Sequence, residues 1–204
     1  MTDLVLVRHG ETVWHAENRY AGLSDVELTP RGHDQAALLA GWAVGAGLDG
    51  VWASTLGRAR VTAAAAAGKA GLDLRTDARL RELDFGQGEG LTSAEMAARF
   101  PEARAAFESD PAAHPLPGGE DPREAAERFV AALHDIAAAH EGRVLVVAHT
   151  TAIRLALCRL IGVPLGEYRR LFPRLDNCAL TELRLREGRR AALLQYNSPI
   201  GAVR

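Results

Sequence analysis

The chain has 204 residues, 48% hydrophobic and 25% charged, with a formal net charge of −2. That length suits one domain with a sizeable core, and the composition excludes an intrinsically disordered chain. No concentrated basic field is available for nucleic acid or an anionic membrane surface, and no apolar run approaches the ~20 residues a bilayer-spanning helix requires.

Met1-Thr2-Asp3 leads directly into the apolar run Leu4 to Val7, with no leader pattern ahead of it. Cys158 and Cys178 are therefore expected as buried thiols in a reducing cytoplasm. Leu4-Val5-Leu6-Val7 is short, branched and unbroken, as in a strand buried on both faces. Thr29-Pro30 predicts a helix start, with Thr as N-cap and Pro at the first position. Ala36, Leu39, Ala40 and Ala43 fall on one stripe of that helix. Gly50 to Ala53 reads as a second strand. Leu56 to Ala67 is alanine-rich and is expected to stop at Gly68.

Ser109 to Pro122 is dense in proline and glycine, so residues 85–122 are expected to leave the sheet as a lid. Asp121-Pro122-Arg123-Glu124 predicts the next helix start, with Glu124 closing a capping box. Phe129, Val130, Leu133, Ile136 and Ala137 follow at helical spacing. Val144 to Val147 is a third buried strand, and a helix runs on from about Thr151. Leu180 to Leu185 and Ala191 to Tyr196 alternate around Glu187-Gly188 as a closing hairpin would. Together these elements imply a single domain over 1–204: a three-layer α/β/α fold on a mostly parallel sheet with an antiparallel edge.

In such sheets ligands bind beyond the carboxyl ends of the strands. Arg8-His9-Gly10-Glu11-Thr12 follows the first strand, Ser54 to Arg58 the second, Glu82 the stretch Ala78 to Arg81, and His149-Thr150 the third strand. Two guanidinium forks and the amides of a helix start suit a tetrahedral dianion. A neutral imidazole is a good nucleophile near pH 7, and Gly10 lets its carbonyl approach and fix the His9 tautomer. A second His can donate to the phosphoryl oxygens. A carboxyl can protonate the leaving oxygen if burial raises its pKa. The inventory supports phosphoryl transfer through phosphohistidine without a metal.

Arg8-His9-Gly10-Glu11-Thr12 resembles the signature of the histidine phosphatase superfamily, the phosphoglycerate-mutase-like proteins. Leu28 to Gly32 with Gln35-Ala36, Ser54 to Ala63, Leu80-Arg81-Glu82 with Phe85-Gly86 and Glu89 to Thr92, Pro117 to Glu120, and Val146 to His149 are similar to its later segments. The resemblance spans about residues 4 to 180. It implies that His9 is phosphorylated, that Arg8, Arg58 and His149 hold the phosphoryl group, and that Glu82 donates a proton and then activates water. No metal and no cofactor is expected. Thr150 stands where the family usually has Gly, and its amide is still expected to donate. His15 replaces the usual Asn after Trp14, and Ala21 replaces the usual Gln before Gly22. Both positions commonly touch phosphate or substrate, and Asn18 or His15 is expected to fill the polar role.

Other features have plainer readings. His33, His134 and His140 are expected at the surface, and His114, between prolines, is read as a surface residue ahead of a lid residue. Cys178 to Arg184 has Cys-x5-Arg spacing but alternates as a strand does. The expected activity is hydrolysis of a small phosphorylated metabolite. A mutase would hold extra basic residues between the acid and the second His, where Phe85 to Pro122 has only Arg99 and Arg104. A non-catalytic phospholigand binder would be expected to lack His9 or Glu82. No nucleic-acid or membrane partner is expected, whereas exposed edge strands leave a homodimer open.

Overall fold

The computed structural model describes residues 2–185 and 190–200. Its sheet is built from β1 (Thr2–Arg8), β2 (Leu48–Ser54), β3 (Leu74–Asp77), β4 (Arg143–Ala148), β5 (Leu180–Leu185) and β6 (Ala192–Ser198). The helices among the described residues are α1 (Val13–Ala16), α2 (Pro30–Ala43), α3 (Gly57–Ala70), α4 (Ser93–Arg99), α5 (Pro101–Ser109), α6 (Pro122–Ala138), α7 (Thr150–Ile161) and α8 (Tyr168–Leu171). Strand order is β3-β2-β4-β1-β5-β6. The β3-β2-β4-β1 portion is parallel, while β5 joins β1 antiparallel and β6 joins β5 antiparallel. The expected fold class is present, with an antiparallel edge on a parallel core.

Period-two alternation explains the three layers. Val5, Val7, Val51, Ala53, Leu145 and Val147 point to one face and pack with Leu39 and Ala43 of α2 and Ala59, Ala63, Ala66 and Ala67 of α3. Leu4, Leu6, Val144, Val146 and Ala148 point the other way, onto Phe129, Leu133 and Ile136 of α6 and Ala152, Ile153 and Ala156 of α7. Small alanines on α3 allow that helix to lie close to α2 and the sheet.

Several boundaries differ from expectation. Gly68 does not end α3, which runs on to Ala70 and is capped by Gly71 at φ 70°. A helix tolerates an interior Gly at about 1 kcal/mol relative to Ala, and Gly71 supplies the left-handed turn that ends it. The edge strand β3 was not foreseen, because Leu74-Arg75-Thr76-Asp77 pairs on one side only and carries one apolar residue. Thr29 caps α2 as expected, its Oγ1 accepting from the Gly32 N–H at 3.0 Å. Asp121 caps α6 by accepting from the Arg123 N–H at 2.7 Å, in place of the anticipated capping box with Glu124. The hairpin turn at Glu187-Gly188 lies outside the described residues.

Residues 85–122 hold α4 and α5, and Phe85, Leu91, Met96, Phe107 and Leu116 are buried in the same apolar cluster as α6 and α7. Tyr20 meets Phe85 edge-on at 5.0 Å. His33, His134 and His114 are exposed, but His140 is not a surface residue. It follows α6, its ring is 8% exposed, Trp52 Nε1 donates to its Nε2 at 3.1 Å, and its Nδ1 donates to Asp49 at 2.9 Å. Trp52 on β2 draws it inward, a contact no helical periodicity could announce. Both cysteines are buried free thiols. Cys178 to Arg184 lies on and just before β5, with Arg184 paired to Asp3 at 2.7 Å and no phosphate-cradling loop. No helix among the described residues is long and apolar enough to cross a membrane.

Candidate active site

Strand register decides what meets at the carboxyl edge. β1 and β4 pair with Arg8 opposite Ala148, and the His9 N–H donates to the Ala148 carbonyl at 3.1 Å. His9 and His149 therefore emerge side by side, their ring centroids 5.1 Å apart. β2 hands the chain to α3, whose second residue, Arg58, is 1% exposed. Its Nε donates to His9 Nε2 at 3.2 Å. Arg8, His9, Arg58 and His149 thus gather at one edge of the sheet, and Glu82, after the turn at residues 78–80, has its carboxylate held at the start of α7.

Gly10 is fixed by space: a Cβ there would lie 2.5 Å from the Gly32 carbonyl oxygen. The consequence is the expected tautomer. His9 Nδ1 lies 2.7 Å from the Gly10 carbonyl and donates to it, leaving the Nε2 lone pair toward Arg58. Burial, His149 and the Arg58 and Arg8 guanidinium groups hold the His9 pKa well below its ordinary value. The ring is neutral, with Nε2 unprotonated.

Arg58 is committed more fully than its motif suggested. Nη1 donates to the Ser24 carbonyl at 2.7 Å, and Nη2 to the Gly22 carbonyl at 2.7 Å and the Ala21 carbonyl at 3.2 Å. Ala21 and Gly22 therefore meet the cluster through backbone oxygens that aim Arg58. Gly22 also sits where a Cβ would lie 2.0 Å from Glu89 Oε1. Arg8 donates through Nη1 to the Leu175 carbonyl at 2.8 Å and through Nη2 to His15 Nε2 at 2.6 Å. Burial drives the Arg8 pKa down to about 10, low for a guanidinium but still cationic at neutral pH.

His15 joins the site through that bond, and its ring stacks on His9 with centroids 5.4 Å apart. Its other ring nitrogen, Nδ1, closes a cap on Thr12, lying 3.2 Å from the Thr12 N–H and 3.1 Å from Thr12 Oγ1. Burial, Arg8 and Arg58 push its pKa down to about 3. Asn18 differs: it occupies the exposed turn after α1 at φ 55°, and its side chain makes no hydrogen bond among the described residues.

Glu82 is buried, and backbone amides engage both of its carboxylate oxygens. Its Oε1 accepts from the Ala152 N–H at 2.8 Å and the Leu83 N–H at 2.9 Å, and its Oε2 from the Thr151 N–H at 3.0 Å. The amides of Thr151 and Ala152 at the start of α7 are thus spent on Glu82, not left for an anion. Thr150 opens the helix ahead of them. His149, fully buried, has neither ring nitrogen bonded among the described residues, and Arg8 Nε is likewise unpartnered. Unpartnered buried polar atoms are costly unless they serve a polar ligand. Burial first, then Arg58, Arg128 and Arg8, keep the His149 pKa well below normal.

Other contributors were not foreseen. Asn177 Nδ2 donates to the His9 carbonyl at 2.7 Å, because the approach to β5 runs beside the end of β1. Thr62 Oγ1 accepts from the Gly10 N–H at 3.0 Å and donates to the Arg58 carbonyl at 2.8 Å. Asn177 follows an irregular stretch with no local signal. Thr62 was visible only as part of a motif.

Two guanidinium cations and three neutral imidazoles thus gather at His9 with one carboxylate nearby, which suits an anionic ligand. The family model of the histidine phosphatase superfamily (branch 1) matches residues 4–198. A probable phosphoglycerate mutase GpmB from Salmonella paratyphi B is 36% identical over 193 residues, covering 92% of this chain and 86% of its own. Among solved structures, Bacillus stearothermophilus YhfR matches with a TM-score of 0.91 at 28% identity over 98% of each chain. A mycobacterial glucosyl-3-phosphoglycerate phosphatase complexed with VO3 matches with a TM-score of 0.87 at 30% identity, over 97% of this chain and 99% of its own. The chain belongs to the histidine phosphatase superfamily.

Proposed function

We propose that this chain is a metal-independent phosphatase of small phosphomonoesters that works through a phosphohistidine at His9. The observation that carries the reading is the His9 ring itself: Nδ1 tied to the Gly10 carbonyl, Nε2 unprotonated, and a guanidinium 3.2 Å away. Nε2 forms a bond to phosphorus as the ester P–O bond breaks. The departing oxygen takes a proton from Glu82, and the alcohol leaves. Water then gives a proton to the Glu82 carboxylate and its oxygen to phosphorus, which frees His9 and releases inorganic phosphate. Arg8, Arg58 and the unpartnered His149 nitrogens stabilise the phosphoryl oxygens as charge shifts onto them. Positive charge from arginine replaces a metal ion in this scheme.

Trapping tests it. Wild type, treated with chelator and a phosphomonoester, is expected to accumulate acid-labile phosphate that His9→Ala lacks, with turnover lower by at least ~10³-fold, about 4 kcal/mol of barrier. Label retained in His9→Ala, or activity restored to chelated enzyme only by magnesium or zinc, would overturn the mechanism. The name of the Salmonella relative favours a second reading, in which the phosphoryl group returns to another hydroxyl of the substrate. Release of inorganic phosphate against formation of an isomeric phosphate separates the two.

A further inference from the structure

The segment Pro117-Gly118-Gly119-Glu120 belongs to the family-like series, yet no part of it enters the cluster around His9. Its acidic end meets Arg128 on α6. Arg128 Nε donates to Glu120 Oε1 at 2.6 Å and Nη2 to Glu120 Oε2 at 2.8 Å. Nη1 donates to the carbonyls of Arg79 at 2.6 Å and Arg81 at 2.9 Å, and Nη2 to the carbonyl of Glu82 at 2.9 Å. Those five bonds use all five N–H groups of the guanidinium. Both side chains are largely buried, 15% and 12% exposed. Glu120 also accepts from the Asp84 N–H at 3.3 Å, and its own N–H donates to the Asp84 carbonyl at 3.0 Å. Burial pushes the Glu120 pKa up, but the Arg128 bonds outweigh it and hold the carboxyl below its ordinary value.

Glu82 is therefore gripped at both ends. Its carboxylate is held by the amides of Leu83, Thr151 and Ala152, and its backbone by a guanidinium that spans residues 79 to 82. We infer that Arg128, bridged to Glu120, is a positioning residue that sets where Glu82 meets the leaving oxygen, an inference that rests on the phosphatase reading above. A planar fork with five donors suits this task, and lysine, with three donors on one nitrogen, does not reproduce it. The Gly-Gly pair before Glu120 admits the loop: a Cβ on Gly119 would lie 2.9 Å from the Asp84 carbonyl oxygen.

A purely structural pair would lower stability and slow every substrate alike. A pair that positions the proton donor slows alkyl phosphates, whose alkoxide needs the proton, much more than nitrophenyl phosphate, whose phenolate does not. Single-turnover phosphorylation of His9 is measured with both substrates for wild type, Arg128→Lys and Glu120→Gln, each below its melting temperature. The expected loss is about 10–100-fold for the alkyl ester, the scale of an ångström-sized misplacement, and less than about threefold for the aryl ester. Glu120→Gln keeps the shape, so it carries the test if Arg128→Lys does not fold. Equal losses for both esters, or no loss for either, overturn the positioning role and leave the phosphatase reading standing. Failure of wild type to label His9 with either ester removes both.

Discussion

Glu82 Oε1 takes two backbone N–H bonds and Oε2 takes one, so Oε2 retains a lone pair that no amide claims. A proton shared with a leaving oxygen belongs on that atom. Glu82→Gln removes it and also turns an amide group toward the Thr151 N–H, donor against donor. In single-turnover phosphorylation of His9, the variant is expected to lose about 10²–10⁴-fold with an alkyl phosphate, the usual range for general acid catalysis, and far less with nitrophenyl phosphate. Equal losses would remove Glu82 from the role, with Asp84 as the next carboxyl to test. The residue scale also shows why His9 was legible and its supports were not. His9 sits between Arg8 and Gly10 in a motif readable by position, whereas Asn177 reaches its carbonyl across 168 residues of sequence.

At the scale of elements, the end of α3 gives a sharp contrast between two glycines. Gly68 lies inside the helix with open space around its Cβ position, and Gly71 caps it at φ 70°. Gly68→Ala is expected to stabilise the protein by about 0.5–1 kcal/mol through helix propensity and unfolded-chain entropy. Gly71→Ala is expected to cost about 1 kcal/mol or more, because a β-carbon is strained in the left-handed region. Urea denaturation of the two variants checks this, and the reverse order of stabilities would return the helix end to Gly68. The excursion expected as a lid is an element-scale question too. Phe85, Met96 and Phe107 bury it against α6 and α7, so amide exchange in α4 and α5 is expected to be as slow as in α6. Exchange faster than in the sheet strands by several orders of magnitude would support a lid that opens.

For the whole molecule, the buried histidines link stability to pH. His9 and His149 have folded pKa values well below 6.5, chiefly through burial, and an unfolded chain titrates them near 6.5. Above pH 6.5 both states hold them neutral, and they place no pH dependence on folding. Below it the unfolded chain binds protons that the fold refuses, so stability falls with falling pH until the folded pKa values are reached. Each contributes up to about 1.4 kcal/mol per pH unit in that window. Urea unfolding at pH 7.5, 6 and 5 is expected to show a steeper acid loss in wild type than in His149→Gln, by about one proton. Parallel slopes would show that His149 is protonated within the fold.

The unbroken apolar runs Leu4 to Val7 and Val144 to Val147 determined by themselves that a parallel sheet is covered on both faces, since period two places successive side chains on opposite sides and all of them are apolar. Local chemistry likewise determined the Thr29-Pro30 and Asp121-Pro122 helix starts and the His9–Gly10 tautomer, because the groups involved lie within a few residues of each other. Only the tertiary structure decided where β3 pairs, that the α7 amides hold Glu82, that Arg128 spans residues 79 to 82, and that His140 turns in toward Trp52. Each of these joins groups far apart in sequence through strand register or helix packing. The geometry exists only once the sheet has closed, and no local spacing of residues encodes it.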